Sequence, residues 1–428
     1  MATLIEVSVA QGCILVFNSG SSSIKFSLYE IDGQLTLLYD GEVSGIGTSK
    51  VRFRFEEVKN ETRQPLPTQV FPDEWVSFRD AVKKIAETLN QAGVPRPSAI
   101  GHRVVHSGPN LVTHQRISHD VLREIEQSIP FAPLHQPVAL EMIREATRHF
   151  PGVQHYACFD TIFHHQMPVV ASTYPIPKSL QAQGLRRYGF HGLSCESVVQ
   201  QFLDGRVIDP GAACRVPAKL IIAHLGSGAS ITAVRNGQSI DTTMGLTPCG
   251  GVIMGTRSGD LDPGLILYLM RMHVDPSRDP VDEVEQLVNR QSGLLALSES
   301  SSDMRELREA AARGNSQAEM AIQSFILSAK KAIGGFVALL GGLDALVFTG
   351  GIGEHDFLSR SQICAGLDPM GIAIEPKKNE ETATGARIIS HFSQHGSSTT
   401  VYVIPTEEDR VIASHVEKLH QLSNKREY

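Results

Sequence analysis

Two strand-turn-strand segments constrain the fold of this chain more than any other feature. In the first, Ile14 to Tyr29, an apolar run leads into the small polar turn Asn18 to Ser23, and apolar and polar residues then alternate. Alternation with a period of two predicts a returning β-strand with one buried face. The second segment, Leu220 to Val234, repeats this plan around a Gly-Ser turn. The chain is therefore expected to contain two similar halves.

Each turn has a composition suited to binding phosphate. The first contains one Gly, four Ser and one Asn, so backbone N–H groups and hydroxyls could surround an anion, and Lys25 adds a positive charge. One such turn is equally compatible with an ordinary hairpin, but a second copy favours a nucleotide held by both halves. Neither is a Walker A loop, because Gly20 to Lys25 lacks the second Gly before Lys and precedes a strand.

Length, charge and cysteine spacing limit the functions to consider. A chain of 428 residues favours two or three domains. Its net charge of −7 predicts no nucleic-acid partner, so an anionic substrate needs local Arg and Lys. Six cysteines without CxxC spacing predict a reduced, cytoplasmic protein. No secretory signal is expected, and two lysines and two glycines in Ala318 to Leu340 predict a buried helix and no membrane span.

Two charged residues lie at the ends of predicted strands. Arg103 falls in the apolar run Ala99 to Gly108, and Asp160 follows the strand Tyr156 to Phe159. A salt-bridged arginine and a capping carboxylate are the structural explanations. The functional explanations are an anion clamp and a carboxylate at the edge where open sheets place catalytic groups.

Two glycine-rich segments add candidates for binding. Asp241 to Gly264 holds six glycines interleaved with apolar and charged residues, which predicts a packed active-site loop. The strand Ala345 to Thr349 leads into Gly350 to Glu354, where glycines let the backbone approach a flat ligand. A third loop, Arg186 to Gly192, carries His191, which alone indicates little among seventeen histidines.

Together these segments resemble the acetate kinase family, within the wider actin, sugar kinase and Hsp70 ATPase fold. The match runs from Ile14 to Ala413 and is carried by motifs at residues 18–25, 102–108, 159–161, 187–192, 224–228, 254–264 and 351–354. It implies an α/β, two-domain actin-like ATPase (ribonuclease H-like) fold with a duplicated core and ATP in the cleft between the domains. The implied domains are residues 1–162 plus 409–428, and residues 163–408 with most of the nucleotide site. The resemblance also implies a homodimer.

The resemblance further implies reversible, Mg²⁺-dependent transfer of the ATP γ-phosphate to acetate, giving acetyl phosphate and ADP, with Mn²⁺ as an alternative metal. Residues matching Arg103 and Arg257 hold the carboxylate and the phosphoryl group, and His191 donates to that group in the transition state. Donors set around a planar phosphoryl group lower the barrier to in-line transfer. Asp160 is the family's active-site acid, but an ionised acceptor needs no base, so we expect it to act electrostatically and in positioning magnesium.

The same resemblance assigns the remaining site residues. Asn18 and Glu408 approach the metal, and a small apolar acyl pocket consists of Val105, Leu134, Phe190 and Pro248. The nucleotide contacts are Lys25, Ser21, Ser23, His224, Leu225, Gly226, Ser227, Gly228, Asp303, Met304, Arg305, Gly351, Ile352, Gly353, Glu354 and His355.

Some positions depart from the family pattern, and some alternatives stay open. Ser227, His355 and Glu407 stand where Asn is common, and Cys249-Gly250 where Leu-Glu is common. The departures at Ser227 and His355 bear on the nucleotide, and Gly250 on the acyl pocket. A propionate kinase with the same mechanism is the nearest alternative. A non-catalytic ATPase module of the actin and Hsp70 type is the alternative of another class.

Overall fold

A computed structural model describes residues 12–20, 22–48, 51–59, 62–66, 77–207, 216–272, 277, 279–391 and 399–424. The chain divides into two compact units, residues 1–162 with 407–428, and residues 163–406. The sequence prediction placed the last boundary two residues later, between residues 408 and 409. Glu408 therefore belongs to the first unit, together with the helix that begins at that residue.

The strands fall into one sheet for each unit. The first unit contains β1 Gly12–Ser19, β2 Ser23–Ile31, β3 Leu35–Ser44, β4 Arg52–Lys59, β5 Thr62–Pro65, β6 Ala99–Val104, β7 Gln115–Arg116 and β8 Gln154–Phe159. The second unit contains β9 Lys219–Leu225, β10 Ala229–Arg235, β11 Gln238–Thr242, β12 Ala345–Thr349, β13 Arg387–Ile388 and β14 Thr400–Val403.

The two sheets share one topology. Their strand orders are β5-β4-β3-β2-β1-β6-β8-β7 and β11-β10-β9-β12-β14-β13. In each, an antiparallel hairpin (β1 with β2, β9 with β10) continues into two parallel strands and ends in a short antiparallel edge strand. The first sheet adds β4 and β5 beyond the shared six strands. The duplicated α/β core predicted from the two polar turns is confirmed.

Fifteen α-helices are present in the described residues. Those of the first unit are α1 Phe78–Gln91, α2 His119–Gln127, α3 Gln136–His149 and α15 Glu408–Asn424. Those of the second unit are α4 Val169–Ser172, α5 Lys178–Gln181, α6 Gly192–Leu203, α7 Pro263–Met272, α8 Pro280–Arg290, α9 Gly293–Ser298, α10 Met304–Ala312, α11 Ser316–Leu340, α12 Gly350–His355, α13 Phe357–Cys364 and α14 Pro376–Glu380.

Local sequence explains where several of these elements begin. The helical spacing of Trp75, Phe78, Val82, Ile85 and Leu89 predicts a helix here, and Trp75 lies outside the described residues. Ser77 and Asp80 form a capping box, so α1 begins at Phe78. Gly101 of β6 lets α15 approach the sheet, because a Cβ there would lie 2.6 Å from Ile412. The last helix of the chain is thereby held against the strand that carries Arg103.

Helix α11 differs from the prediction of a buried helix. Its buried residues recur every three or four positions, from Ala318 to Leu340, so one face packs on the unit. The opposite face is open, with Leu327 58% exposed. This helix is long and apolar enough to cross a membrane by length and composition alone, and 33% of its most apolar window is buried.

Candidate functional site

In the first unit, the predicted charged residues meet at one edge of the sheet. β1, β6 and β8 are parallel, so their carboxyl ends share that edge. Arg103 Nη2 donates to Asp160 Oδ2 at 2.6 Å, and Nη1 donates to the carbonyl of Ser19 at 2.9 Å. Asp160 is 1% exposed. The salt bridge expected for Arg103 is therefore present, and its role as an anion clamp stays a prediction.

The charge of Arg103 is secured by its neighbours. Burial would lower the pKa of the guanidinium, but the carboxylates of Asp160 and Glu408 outweigh burial and raise it. The Nε atom has no hydrogen-bond partner within the described part of the chain and lies 4.0 Å from Glu408 Oε2. Arg103 thus presents a permanent cation, and its Nε–H is among the donors that this structure does not use.

Asn18 joins two carboxylates at the same edge. Its Nδ2 donates to Glu408 Oε2 at 3.0 Å and to Asp409 Oδ1 at 2.8 Å. Only the NH₂ group can serve two carboxylates, so these bonds fix the orientation of the amide and its oxygen. Asp409 also accepts from Ser27 Oγ at 2.7 Å, and its burial raises the pKa of its carboxyl group. Sequence reasoning missed Asp409, whose signal was its place directly after the metal candidate Glu408.

In the second unit, His191 and Arg257 approach the turn between β9 and β10. A Cβ on Gly228 would lie 3.3 Å from His191 Nε2 and 3.5 Å from both terminal nitrogens of Arg257. Arg257 Nη1 also donates to the carbonyl of Pro248 at 2.8 Å. Imidazole and guanidinium therefore meet at a space that exists because residue 228 has no side chain.

The imidazole of His191 is held on two sides. Its Nδ1 lies 2.8 Å from Ser230 Oγ, and its ring stacks on His224 with centroids 4.1 Å apart. His224 Nδ1 lies 2.8 Å from Ser194 Oγ. The backbone of His191 is left-handed, with φ 56°, which is uncommon for a residue with a side chain. The ring's direction is therefore imposed by its surroundings.

The glycine-rich segment after β12 forms the short helix α12, Gly350–His355. Gly350 has φ +77°, and a Cβ there would lie 2.8 Å from the carbonyl oxygen of Leu225, so only glycine fits. Glu354 turns its carboxylate inward, accepting from the backbone N–H of Gly350 at 2.9 Å and of Thr406 at 3.2 Å. The buried Arg360 donates to the carbonyls of Gly353 and Glu354, both at 2.9 Å.

The other predicted nucleotide residues lie in three places. Asp303 caps α10 and pairs with the exposed Arg305 at 2.6 Å, which lowers the pKa of Asp303, while Met304 is buried. In the turn of the second unit, Leu225 is buried and Ser227 is exposed. In the first unit, Lys25 is exposed and Ser23 half-buried on β2, and Ser21 lies outside the described residues.

The four acyl-pocket candidates are divided between the units. Val105 is buried and Leu134 half-buried in the first unit. Phe190 and Pro248 are buried in the second, where Pro248 is tied to Arg257 through its carbonyl. Val105 follows Arg103 by two residues in the chain, Phe190 directly precedes His191, and the carbonyl of Pro248 is bonded to Arg257.

Comparison with known proteins gives one consistent result. The sequence profile of the acetokinase family matches residues 13–414. The acetate kinase of Clavibacter michiganensis is 40% identical over 403 residues, covering 94% of this chain and 97% of that protein. The acetate kinase of Geobacillus kaustophilus is 40% identical over 416 residues, covering 96% and 99%.

Solved structures agree. A propionate kinase from Francisella tularensis superimposes with a TM-score of 0.82 at 36% identity, covering 95% of this chain and all (100%) of that one. Porphyromonas gingivalis acetate kinase gives a TM-score of 0.78 at 33% identity, covering 96% and 100%. The predicted actin-like ATPase fold is confirmed, and the chain belongs to the acetokinase family.

Proposed function

We infer that this chain is an acetate kinase, a phosphotransferase that moves the γ-phosphate of ATP to the carboxylate of acetate and catalyses the reverse reaction. The observation that carries this inference is the approach of His191 Nε2 and the Arg257 guanidinium to the space beside Gly228. A transferring phosphoryl group spreads negative charge over three equatorial oxygens, and fixed cationic and N–H donors around it lower the barrier.

The ion pair of Arg103 and Asp160 suits an acceptor that is already ionised. Acetate needs no general base at neutral pH, so a carboxylate held 2.6 Å from a guanidinium is better explained as an electrostatic and orienting group. We propose that Arg103 attracts the acetate carboxylate through donors beyond those it gives to Asp160 and Ser19. Val105 and Leu134, in the same unit as Arg103, would contact the methyl group.

The residues around Asn18 fit a hard divalent cation. Glu408, Asp409 and the Asn18 amide offer only oxygen ligands, which Mg²⁺ and Mn²⁺ prefer, and the two carboxylates fix the amide orientation. We propose that Asn18 and Glu408 hold Mg²⁺, directly or through its waters. When bound, the ion would offset phosphate charge, while Arg103, His191 and Arg257 supply the donors described above.

An acyl-acceptor panel tests the proposal. Purified enzyme with ATP and Mg²⁺ should form acetyl phosphate from acetate, trapped as the hydroxamate. Arg257→Ala or His191→Ala should lower kcat by on the order of a hundredfold or more, because each removes a donor to the transition state. Absence of product with both acetate and propionate would overturn the assignment.

Propionate kinase is the second candidate, because one structural neighbour is a propionate kinase. The ratio of kcat/KM for the two acids separates the candidates. One methylene in an apolar pocket is worth about 1 to 3 kcal/mol, so either preference should be about tenfold or more. A ratio in favour of propionate would replace acetate as the named substrate.

We also propose a cytoplasmic homodimer, as the family resemblance implies. Support comes from α7, which is largely apolar yet has no buried residue. Leu267 and Tyr268 are 53% and 56% exposed, and α7 is the surface we expect a second copy to cover. The five described cysteines carry thiols and not disulfides, as expected in a reducing compartment.

A further inference from the structure

We propose that His164 is a positioning residue that directs His191 at the phosphoryl group by holding the backbone carbonyl of Phe190. The proposal rests on the proposed function, in which His191 donates to that group. His164 lies just after β8 in the chain, was not among the sequence candidates, and is completely buried (0% exposed).

The hydrogen bonds of His164 define its tautomer. Its Nε2 lies 2.9 Å from the carbonyl oxygen of Phe190, and its Nδ1 lies 2.9 Å from Ser239 Oγ. A carbonyl only accepts, so Nε2 carries the hydrogen. A neutral ring then accepts at Nδ1 from the hydroxyl of Ser239. Ser239, His164 and Phe190 thus form a directed chain from β11 to the peptide that precedes His191.

That peptide needs support. His191 has φ 56°, and a left-handed residue with a side chain persists only where its surroundings hold it. Gly189, two residues earlier, has φ +74°, and a Cβ there would lie 2.7 Å from Cγ of His164, so the imidazole packs directly on this backbone. His164 therefore touches the turn both by packing and by a hydrogen bond.

Other contacts hold the two sides of the peptide, and His164 meets its carbonyl. On one side, the N–H groups of Tyr188 and Gly189 donate to the carbonyl of Gly245 at 3.0 and 3.3 Å. On the other, Ser230 meets Nδ1 of His191 at 2.8 Å. Loss of the bond from His164 removes one restraint on the peptide between residues 190 and 191, and a rotation of that peptide would carry His191 Nε2 away from the space beside Gly228. Displacements of about 1 Å at a reacting centre can cost a hundredfold in rate.

A pair of substitutions tests the bond itself. His164→Gln keeps an N–H donor at the reach of Nε2, whereas His164→Leu has similar volume and no donor. We expect His164→Leu to lower kcat about tenfold to a hundredfold, with KM for acetate and the Kd of ATP within about twofold of wild type. His164→Gln should recover most of that loss. Thr232→Val is the control, since it removes a buried hydroxyl of β10 that bonds Thr242 and not Phe190.

The outcomes separate this inference from the proposed function. A wild-type protein that forms no acyl phosphate defeats the proposed function. An active wild type in which both His164 variants keep full kcat, or in which both lose it equally, defeats the role of His164. Imidazole ¹⁵N spectra give a readout independent of turnover. We expect a neutral Nε2–H signal that disappears in His164→Gln, and an Nδ1–H tautomer would overturn the proposal.

If His164→Leu does not fold, Ser239→Ala gives the second test. It removes the donor to Nδ1 while leaving the imidazole in place. We expect kcat to fall about threefold to tenfold with binding of ATP unchanged. An unchanged kcat together with an unchanged ¹⁵N spectrum would contradict the directed chain.

Discussion

Gly228 determines how much room is left between His191 and Arg257. The residue does not have a positive φ, so glycine is not needed there for backbone reasons. Glycine leaves the Cβ position empty, 3.3 Å from His191 Nε2 and 3.5 Å from the terminal nitrogens of Arg257. The space in the candidate site therefore depends on the lack of a Cβ at Gly228.

Gly228→Ala should separate catalysis from folding. The new methyl group would occupy the space assigned to the phosphoryl group and push the two donors apart by a few tenths of an ångström. We expect kcat for acetyl phosphate formation to fall on the order of a hundredfold, with the thermal midpoint nearly unchanged. Steady-state kinetics and thermal denaturation measure the two effects.

Gly335→Ala is the matched control. Gly335 lies inside α11, and among the described residues no atom outside the local helix backbone lies within 4 Å of a Cβ there. Alanine should stabilise the helix by about 1 kcal/mol and leave turnover unchanged. Equal kcat values for the two variants would show that the space beside Gly228 is not used in the reaction.

Some site residues could be predicted from the sequence because they interrupt a local pattern, and others could not. Arg103 and Asp160 were predictable because an arginine in an apolar run and a carboxylate after a buried strand are visible as pattern breaks. Asp409 and His164 were not. Asp409 bonds Asn18, 391 residues away, and His164 lies at the carbonyl of Phe190, 26 residues away. No local sequence pattern indicates contacts over such separations.

The buried guanidinium of Arg360 holds helix α12 in place. Arg360 is 1% exposed, and its guanidinium reaches the carbonyls of Gly353 and Glu354 as well as Oδ1 and the carbonyl of Asn379. Burial, followed by the nearby charge of Arg387, lowers the pKa of Arg360 to about 10, still well above neutrality. The guanidinium of Arg360 therefore stays charged and joins α12 to α14.

Arg360→Lys should loosen α12 without removing its charge. An ammonium group cannot reach four acceptors in the geometry of a guanidinium, so we expect the free energy of unfolding to fall by about 2 to 3 kcal/mol. If α12 contacts the nucleotide, KM for ATP should rise while KM for acetate changes little. Urea denaturation and kinetics check both effects, with the exposed Arg313→Lys as control. An unchanged free energy of unfolding would contradict the role of Arg360 in holding α12.

A buried histidine pair makes the first sheet sensitive to acid. His102 of β6 and His155 of β8 lie 2.9 Å apart from Nε2 to Nδ1, and His102 stacks on Phe17 of β1. Burial lowers the pKa of both imidazoles, that of His155 from its usual 6.5 to about 4. Within the described residues, the outer nitrogens of the pair have no hydrogen-bond partner, so neither ring has a group that would favour its charged form.

Stability should therefore fall as pH drops from about 6.5 towards 4. Between these pH values the two histidines bind protons in the unfolded chain and not in the folded chain. Each histidine therefore lowers the free energy of unfolding by up to about 1.4 kcal/mol per pH unit. Urea denaturation at pH 7.5 and 5.5 measures the slope. His102→Leu with His155→Leu should flatten it, whereas His119→Gln, at an exposed position, should not. An equal slope in all three proteins would exclude the pair as its source.

Element prediction succeeded where local pattern and tertiary packing agree. The hairpins and β12 follow from alternation and apolar runs, and α1 follows from apolar residues at helical spacing. The segment Gly350–His355 was expected only as a close backbone approach, and it is a helix because Arg360 and Glu354 bind its backbone. Helix α2 was not predicted at all. Its short run buries only Val121 and Ile125, too few positions to establish a helical period.

At the scale of the whole molecule, duplication leaves one feature unexplained. The two sheets share six strands in the same order, yet only the second unit carries α7 and α8, neither of which has a buried residue. An apolar helix with no buried residue in the described part of the chain is costly in water and is typical of an interface. This is why we assign α7 to the proposed homodimer.

Leu267→Glu should convert the dimer to a monomer. The substitution places a charge in the centre of the apolar surface of α7, where a second copy would have to bury it without a partner. Sedimentation velocity over a range of concentrations should show wild type at twice the mass of the 46.6 kDa chain and the variant at that mass. Val170→Glu is the matched control, because Val170 is 90% exposed on α4 and lies outside α7. Wild type sedimenting as a monomer, or both variants remaining dimeric, would remove α7 from the interface and leave its apolar surface needing a different partner.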